Sequence, residues 1–278
     1  LSENEFRRAA KISSGKVKNA FDGSKTVADI FRIGVQHLKR KRFDYELKKT
    51  VVRCSHITVS SDDIARSVFP LNPNVTVIHE PIDPGYPRAP KLHVRKAKTI
   101  VWIGMSVNFM YVLEIKDVLK PLLEDQKMRL KIITSDELFS YNPRLRLGDP
   151  IRIEWVRWDL TTLWRELLDA DIGIAPLFWY PWKSPNKVVT YWAAGLPTVA
   201  SSIPAYQKLI DDGVDGFIAE HPGHWRKCLL RLIQDPKLRN QMGAVGYQKA
   251  ASQFSQDAIA ARWKELFEMV AERNAYRK

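Results

Sequence analysis

Cysteine is nearly absent from this 278-residue chain, and the two that occur, Cys54 and Cys228, are too few and too far apart for a metal motif or a disulfide framework. Both are expected as buried thiols in a reducing compartment. Long apolar runs are missing too: no stretch of 18 such residues occurs, and no charged-then-apolar leader opens the chain. The expectation is a cytoplasmic protein, soluble or peripheral at a membrane. Repeats and low-complexity tracts are absent, and 45% hydrophobic content suffices to bury one large or two modest cores. Closely spaced metal ligands are also missing. Of His37, His56, His79, His93, His221 and His224 only the last two are near each other, in a loop before a helix, so no metal site is expected. The chain opens on Leu1 rather than Met, and its first domain is expected to be incomplete.

Acidic residues are in deficit, 31 against 44 Lys and Arg, for a net charge of +13. The excess is uneven: residues 1–96 carry +9 (19 basic, 10 acidic) and the remainder +4 (25 basic, 21 acidic). The densest run is Lys39, Arg40, Lys41 and Arg42, followed by Lys48, Lys49 and Arg53, with Phe43 and Tyr45 interleaved. Two readings stand for it: a solvated helix face, or contact with an anionic membrane surface or a phosphate-bearing acceptor. Nucleic acid is a weaker third, because no RNA-binding aromatic signature, zinc-finger spacing or basic zipper is present.

The chain changes character near residues 80–97. Before that point lie a charged, mostly helical region, a strand-like Ile57 to Ser61, a short helix from Asp62 to Val68 and a strand at Val75 to His79. Residues 80–90 then hold four prolines and a glycine, a linker composition. From Lys98 apolar strands alternate with helices: strands at Thr99–Ile103, Leu130–Thr134, Ile151–Val156, Ile172–Ala175 and Thr198–Ala200, helices at Tyr111–Leu123, Thr162–Leu168, Lys187–Ala194 and Tyr206–Ile210. Such alternation indicates an α/β fold, a doubly wound, Rossmann-like parallel sheet. The division expected is a basic, partial N-terminal region over 1–80, a linker over 81–97, a ligand-binding domain over 98–257, and a final helix in 258–278 that crosses back.

In such a sheet ligands sit at the carboxyl ends of the strands. After Thr99–Ile103 come Gly104, Ser106 and Asn108, small residues whose backbone N–H groups can face a phosphate. After the next strands come Thr134-Ser135 and Arg157-Trp158-Asp159, where backbone groups and a flat side chain can hold a base, although Trp158 serves equally as packing. The most informative stretch runs from Ser184 to Gly216. Ser184 and Asn186 are N-cap types flanking Pro185, so a helix opens there with unpaired N–H groups that attract a diphosphate. Lys187, in the first turn, opposes the helix dipole and asks for a compensating anion; ordinary solvation is the competing reading. Gly195 ends that helix and feeds a buried strand. Trp179, Tyr180 and Trp182 crowd the loop before it, suited either to stacking on a sugar or to packing.

With these residues in place, the chain resembles retaining glycosyltransferases of the GT-B fold, in the broad group of family 4 (glycosyl transferases group 1), over roughly Ser60 to Val270. KTIVWIG, ADIGIAPL, KVVTYWAAGLPTVASS, PAYQKLIDDGVDGFIAE and FSQDAIAARWKELF match donor-domain segments in order, and SSDDIARSV with NVTVIHEPID looks like the end of the acceptor-side domain and the hinge. The resemblance implies transfer of a hexosyl-type group from a nucleoside diphosphate sugar to a hydroxyl of a glycan or lipid-linked acceptor, in polysaccharide or glycoconjugate synthesis. It implies no cofactor and no metal, with the nucleotide sugar as donor substrate. It places the base near Arg157, and the ribose and diphosphate near Trp182, Lys183, Ser184, Asn186, Lys187 and Thr190, with Lys187 as the catalytic cation. Two departures stand out: relatives carry Glu where this chain has Thr190 and Trp182, and an Arg and a Lys where Met105 to Asn108 lie. The missing Glu positions, with an N-terminal domain expected to be incomplete, motivate a different reading, a catalytically degenerate GT-B domain that acts as a binding or scaffold partner.

Overall fold

Six short, largely apolar parallel strands set the frame, with helices packed on both faces. The computed structural model describes residues 46–135, 152–178 and 183–275. The chain divides into two units, Leu1–Ser55 and His56–Lys278. Of the first, residues 46–53 are helical, and the run Lys39 to Arg42 lies outside the described residues.

The second unit opens with β1 (Ile57–Val59), α1 (Asp62–Val68) and β2 (Val75–Val77), in which β1 and β2 pair in parallel. The main sheet then takes β3 (Thr99–Ile103), α2 (Met110–Glu114), α3 (Lys116–Glu124), β4 (Arg129–Thr134), β5 (Ile153–Arg157), α4 (Leu160–Leu168), β6 (Ile172–Ala175), α5 (Asn186–Ala193), β7 (Thr198–Ser201), α6 (Pro204–Leu209) and β8 (Gly216–Ala219). Three helices close the chain: α7 (Pro222–Gln234), α8 (Pro236–Phe254) and α9 (Gln256–Ala275). Strand order is β5-β4-β3-β6-β7-β8, all parallel, so the winding reverses between β3 and β6. A crevice opens at that reversal because consecutive crossovers leave it in opposite directions.

Successive strand residues bury into opposite cores, as a period of two requires. Trp102, Ile132, Val199 and Phe217 join Leu119, Leu122, Trp225 and Leu229 on one face, while Val101, Ile133, Ala200 and Ile218 join Leu163, Leu167, Tyr191 and Trp192 on the other. Coverage of both faces explains why the strands read as continuous apolar runs.

The proline-rich segment expected as a linker is an irregular strap laid along the second unit. Ile82 is buried and its amide donates to Phe254; Trp164 Nε1 donates to the Pro84 carbonyl (2.9 Å) and the Tyr247 hydroxyl to that of Pro87 (2.8 Å). Asp171, at the entry to β6, anchors the strap's end. Its carboxylate accepts from the amides of Lys98 (2.8 Å) and Thr99 (3.1 Å) and from Lys91 Nζ (3.2 Å). Burial works to raise its pKa, but the His93 imidazole 3.8 Å away, the hydrogen bonds from those amides and the Lys91 charge outweigh it and hold the group well below the usual carboxylate range.

Several sequence-based expectations need correction. The helix expected over Tyr111–Leu123 is two helices, because Ile115 leaves helical geometry (φ −104°, ψ 17°); the buried face stays continuous through Val112, Ile115, Leu119 and Leu122. Cys54 is exposed and only Cys228 is buried. Strand β8 and the long helix α8 were not read from the sequence. In α8, Gly243 and Gly246 press against α5 and its end: a Cβ on Gly243 would lie 2.2 Å from the Gly195 carbonyl oxygen, and one on Gly246 2.5 Å from the Trp192 ring.

Candidate functional site

The reversal between β3 and β6 is held apart by one side chain. Tyr191, on α5, accepts a hydrogen bond from the Ile103 amide (2.9 Å) and donates to the Ile174 carbonyl (3.1 Å), so its hydroxyl replaces the backbone ladder where the two strands diverge. Gly173 makes room for it, since a Cβ there would lie 2.5 Å from the ring. Burial raises the Tyr191 pKa well above its ordinary value and keeps the proton in place for donation. Tyr191→Phe would strand both backbone groups, and a loss of about 1–2 kcal/mol of stability in urea denaturation is expected.

Around that split the carboxyl ends of three strands are stitched together. The Gly104 amide donates to the Ile133 carbonyl (3.1 Å), the Thr134 hydroxyl to the Gly104 carbonyl (2.8 Å), and the Trp158 amide to the Thr134 carbonyl (2.8 Å). The stitches leave a hollow of about 330 Å³ lined by Ile103, Gly104, Met105, Ser135 and Trp158. Trp158 is 46% exposed, so its ring face is available there rather than buried as packing.

The amino end of α5 faces the same split. Its cap is Pro185, which makes no side-chain cap bond, so neither Ser184 nor Asn186 is the N-cap expected from sequence. Asn186 is the first helical residue, and its amide reaches Ser184 Oγ at 3.4 Å, while the Lys187 amide has no partner among the described residues. Ser184 Oγ also donates toward the Glu80 carboxylate (2.7 Å).

Lys187 carries the most unusual electrostatics of the site. Its ammonium sits 4.4 Å from the centroid of the buried Trp102 ring, and a Cβ on Gly104 would stand 3.1 Å from Nζ and 2.7 Å from that ring. Among the described residues no carboxylate or carbonyl meets the charge. Burial first, and then the neighbouring Lys183 charge, push its pKa down to about 7. A half-buried ammonium that meets an aromatic face and no opposite charge among the described residues is costly, and it marks a place where an anion completes the site.

The structure therefore gathers Gly104, Lys187, Ser184 and Asn186 at the strand reversal, with Thr134 and Arg157 in register at the adjacent strand ends. It assigns other work to some of them. The Thr134 side chain is buried and spent on the Gly104 stitch, the Thr190 hydroxyl donates to the Asn186 carbonyl (2.9 Å), and the Asn108 amide closes a turn on Met105 (2.9 Å) within a short 3₁₀ helix that also holds Ser106. Trp179, Tyr180 and Trp182 lie outside the described residues. Sequence reading missed Tyr191, Gly173 and the Trp102 shelf. Their only sequence signals are a tyrosine inside an otherwise apolar helix turn and a glycine inside a buried strand, which mark a close approach without naming the partner.

A second hollow, about 180 Å³, adjoins the same helix end and includes Ser61, Asp62, His79, Pro185, Lys208 and Arg262 in its lining. It joins α1, α5, α6, α8 and α9 within the second unit. Among the described residues no three of His, Cys, Asp and Glu converge as metal ligands, and no helix is long and apolar enough to cross a membrane.

Comparison with known proteins agrees with this geometry. The family described as "Glycosyl transferases group 1" matches residues 97–235, half of the chain. Among solved structures, S. aureus TarM is similar with a TM-score of 0.64 at 15% identity, over 81% of this chain and 45% of that one. Anabaena Alr3699/HepE in complex with UDP and glucose gives 0.64 at 14% identity, over 77% and 63%. The pneumococcal O-GlcNAc transferase GtfA in complex with UDP and GlcNAc gives 0.61 at 16%, over 82% and 47%. At such identities the likeness is one of fold, and the chain spans only about half to two thirds of those structures. A sequence comparison with curated proteins finds no match.

Proposed function

We propose, starting from the fact that the chain belongs to the group 1 glycosyl transferases, that it moves a glycosyl group from a nucleoside diphosphate sugar to an acceptor hydroxyl, with the diphosphate held at the β3–β6 reversal. The observation that carries this reading is the Lys187 ammonium, set over Trp102 beside Gly104 with no anion against it among the described residues. A diphosphate there supplies a negative charge and accepts from the Lys187 amide, which has no partner among the described residues. As the glycosidic bond breaks, charge grows on the leaving diphosphate, and a cation fixed in a desolvated site stabilises that charge more than it does the ground state. The retaining, metal-independent and cofactor-free character of the reaction rests on the family resemblance.

In this reading the base occupies the hollow between Gly104 and Trp158, flat against the indole, with Arg157 at the end of the neighbouring strand. Several of the similar structures hold UDP, which supports a uridine donor. Trp158→Ala is expected to weaken nucleotide binding by roughly fivefold, the lower end of base–aromatic stacking. The acceptor, a glycan or a lipid-linked glycan, enters by the second hollow, where Asp62, Lys208 and Arg262 offer polar contacts to hydroxyls. Thr190 and the described part of the loop before α5 supply no carboxylate for the ribose, so affinity falls more heavily on the diphosphate. Titration with uridine, guanosine and thymidine diphosphates, followed by turnover with the sugar nucleotide of the base that binds, tests the reading. A chain that binds none of the three would refute it, and binding without turnover would favour a scaffold role.

A further inference from the structure

The two most exposed large apolar side chains among the described residues are neighbours. Leu92 is 76% and Val94 86% exposed, and they alternate along the extended end of the strap with His93 and Ala97, which are buried. The alternation places Leu92, Val94, Lys96 and Lys98 on the outward side, two apolar residues followed by two cations. Arg88 and Arg95 are exposed nearby, and residues 84–98 contain no Asp or Glu.

Exposure here is not the looseness of a free loop. The Asn240 side chain accepts from the His93 amide (2.7 Å) and donates to the His93 carbonyl (2.9 Å), and the Arg239 guanidinium, fully buried, bonds the Arg95 carbonyl. Ala97 donates to Ile233 (3.0 Å), and the Lys91 amide to Ala194 (3.3 Å). The backbone is thus pinned by its inward side, and Leu92 and Val94 are presented to water from a fixed support. Neither of the two hollows described above includes a residue of this segment, and its outward side chains stand exposed as a ridge.

We infer that this ridge is a contact for an anionic lipid bilayer, in which Leu92 and Val94 enter the headgroup boundary while Arg88, Arg95, Lys96 and Lys98 meet lipid phosphates. A bilayer needs no shape complementarity, only apolar side chains to insert and cations close to its negative surface. A second copy of the chain is disfavoured at a self-paired ridge, where four cations would face four others. The inference does not depend on sugar transfer. The ridge leads into the amino end of β3, and the diphosphate crevice lies at the carboxyl end, so the bilayer-bound chain keeps its crevice open to solution.

The test is co-sedimentation of the full chain with vesicles of phosphatidylcholine and phosphatidylglycerol (7:3) at low salt, against phosphatidylcholine alone. Binding to the anionic vesicles only is expected, weakened roughly tenfold or more by the double variant Leu92→Asp, Val94→Asp and also reduced by Lys96→Glu, Lys98→Glu. Because these side chains are exposed, the variants should melt as the parent does and bind nucleotide with unchanged affinity. Absence of vesicle binding overturns the inference. So does binding that survives the double variant and disappears only when Lys39 to Arg42 are neutralised, or concentration-dependent self-association that the double variant abolishes without any effect on vesicles.

Discussion

Lys187→Ala is expected to lower kcat/KM for glycosyl transfer by about 10²-fold, the scale of losing one fixed charge-assisted donor to a leaving oxyanion. The same variant is expected to fold as well as the parent or better. An ammonium moved from water to the Trp102 face beside Gly104, where among the described residues the one charge acting on it is the like charge of Lys183, opposes folding, and alanine removes that penalty. Function lost while stability is kept or gained is the signature of a group maintained for its ligand. Steady-state kinetics with urea denaturation of the same samples reads both quantities. Equal loss of activity and stability would point to a packing role, and Lys187→Arg, which keeps the charge but needs more room against Trp102, should recover only part of the rate.

The second large effect is a pH dependence set by the same side chain. Its pKa in the free chain is about 7, below the ordinary lysine value, so the ammonium is charged below that pH and neutralised as pH rises through it. A diphosphate selects the charged form, and apparent affinity therefore scales with the charged fraction. Between pH 6 and pH 9 the dissociation constant for a nucleotide sugar, whose diphosphate does not titrate in this range, is expected to rise roughly 10²-fold. Binding above pH 7 should take up a proton, seen as a buffer-dependent calorimetric enthalpy. For the ligand-free chain the sign is opposite: because the folded pKa is depressed, this group's contribution to stability grows as pH rises from about 7 toward the unfolded lysine value. Lys187→Ala should flatten both profiles.

The parallel sheet was legible because each strand is a short apolar run bounded by turn residues, and because strands alternate with helices at crossover spacing. The helix at Lys187 was legible for a local reason as well, a Ser-Pro-Asn entry and an Ala-Ala-Gly exit. The environment of Lys187 was not. Its ammonium meets Trp102 and Gly104, more than eighty residues away in sequence, and the cation seen from sequence as opposing a dipole turned out to be desolvated on a ring. The Thr134 side chain is spent on the Gly104 carbonyl 2.8 Å away, a bond that nothing local in the sequence shows. Tyr191 read as one more apolar helix residue, yet its hydroxyl closes the gap between β3 and β6, a role that exists only once strand order is known. Side chains that bridge distant strands leave no periodic trace, whereas those that face a core do.

Calorimetric titration of the parent chain and Lys187→Ala with uridine, guanosine and thymidine diphosphates at pH 6 bears most directly on the reversal crevice as a diphosphate site. At least one should bind the parent and lose tenfold or more in affinity on substitution. Failure of all three to bind, or equal binding by the two proteins, would contradict the assignment of Lys187.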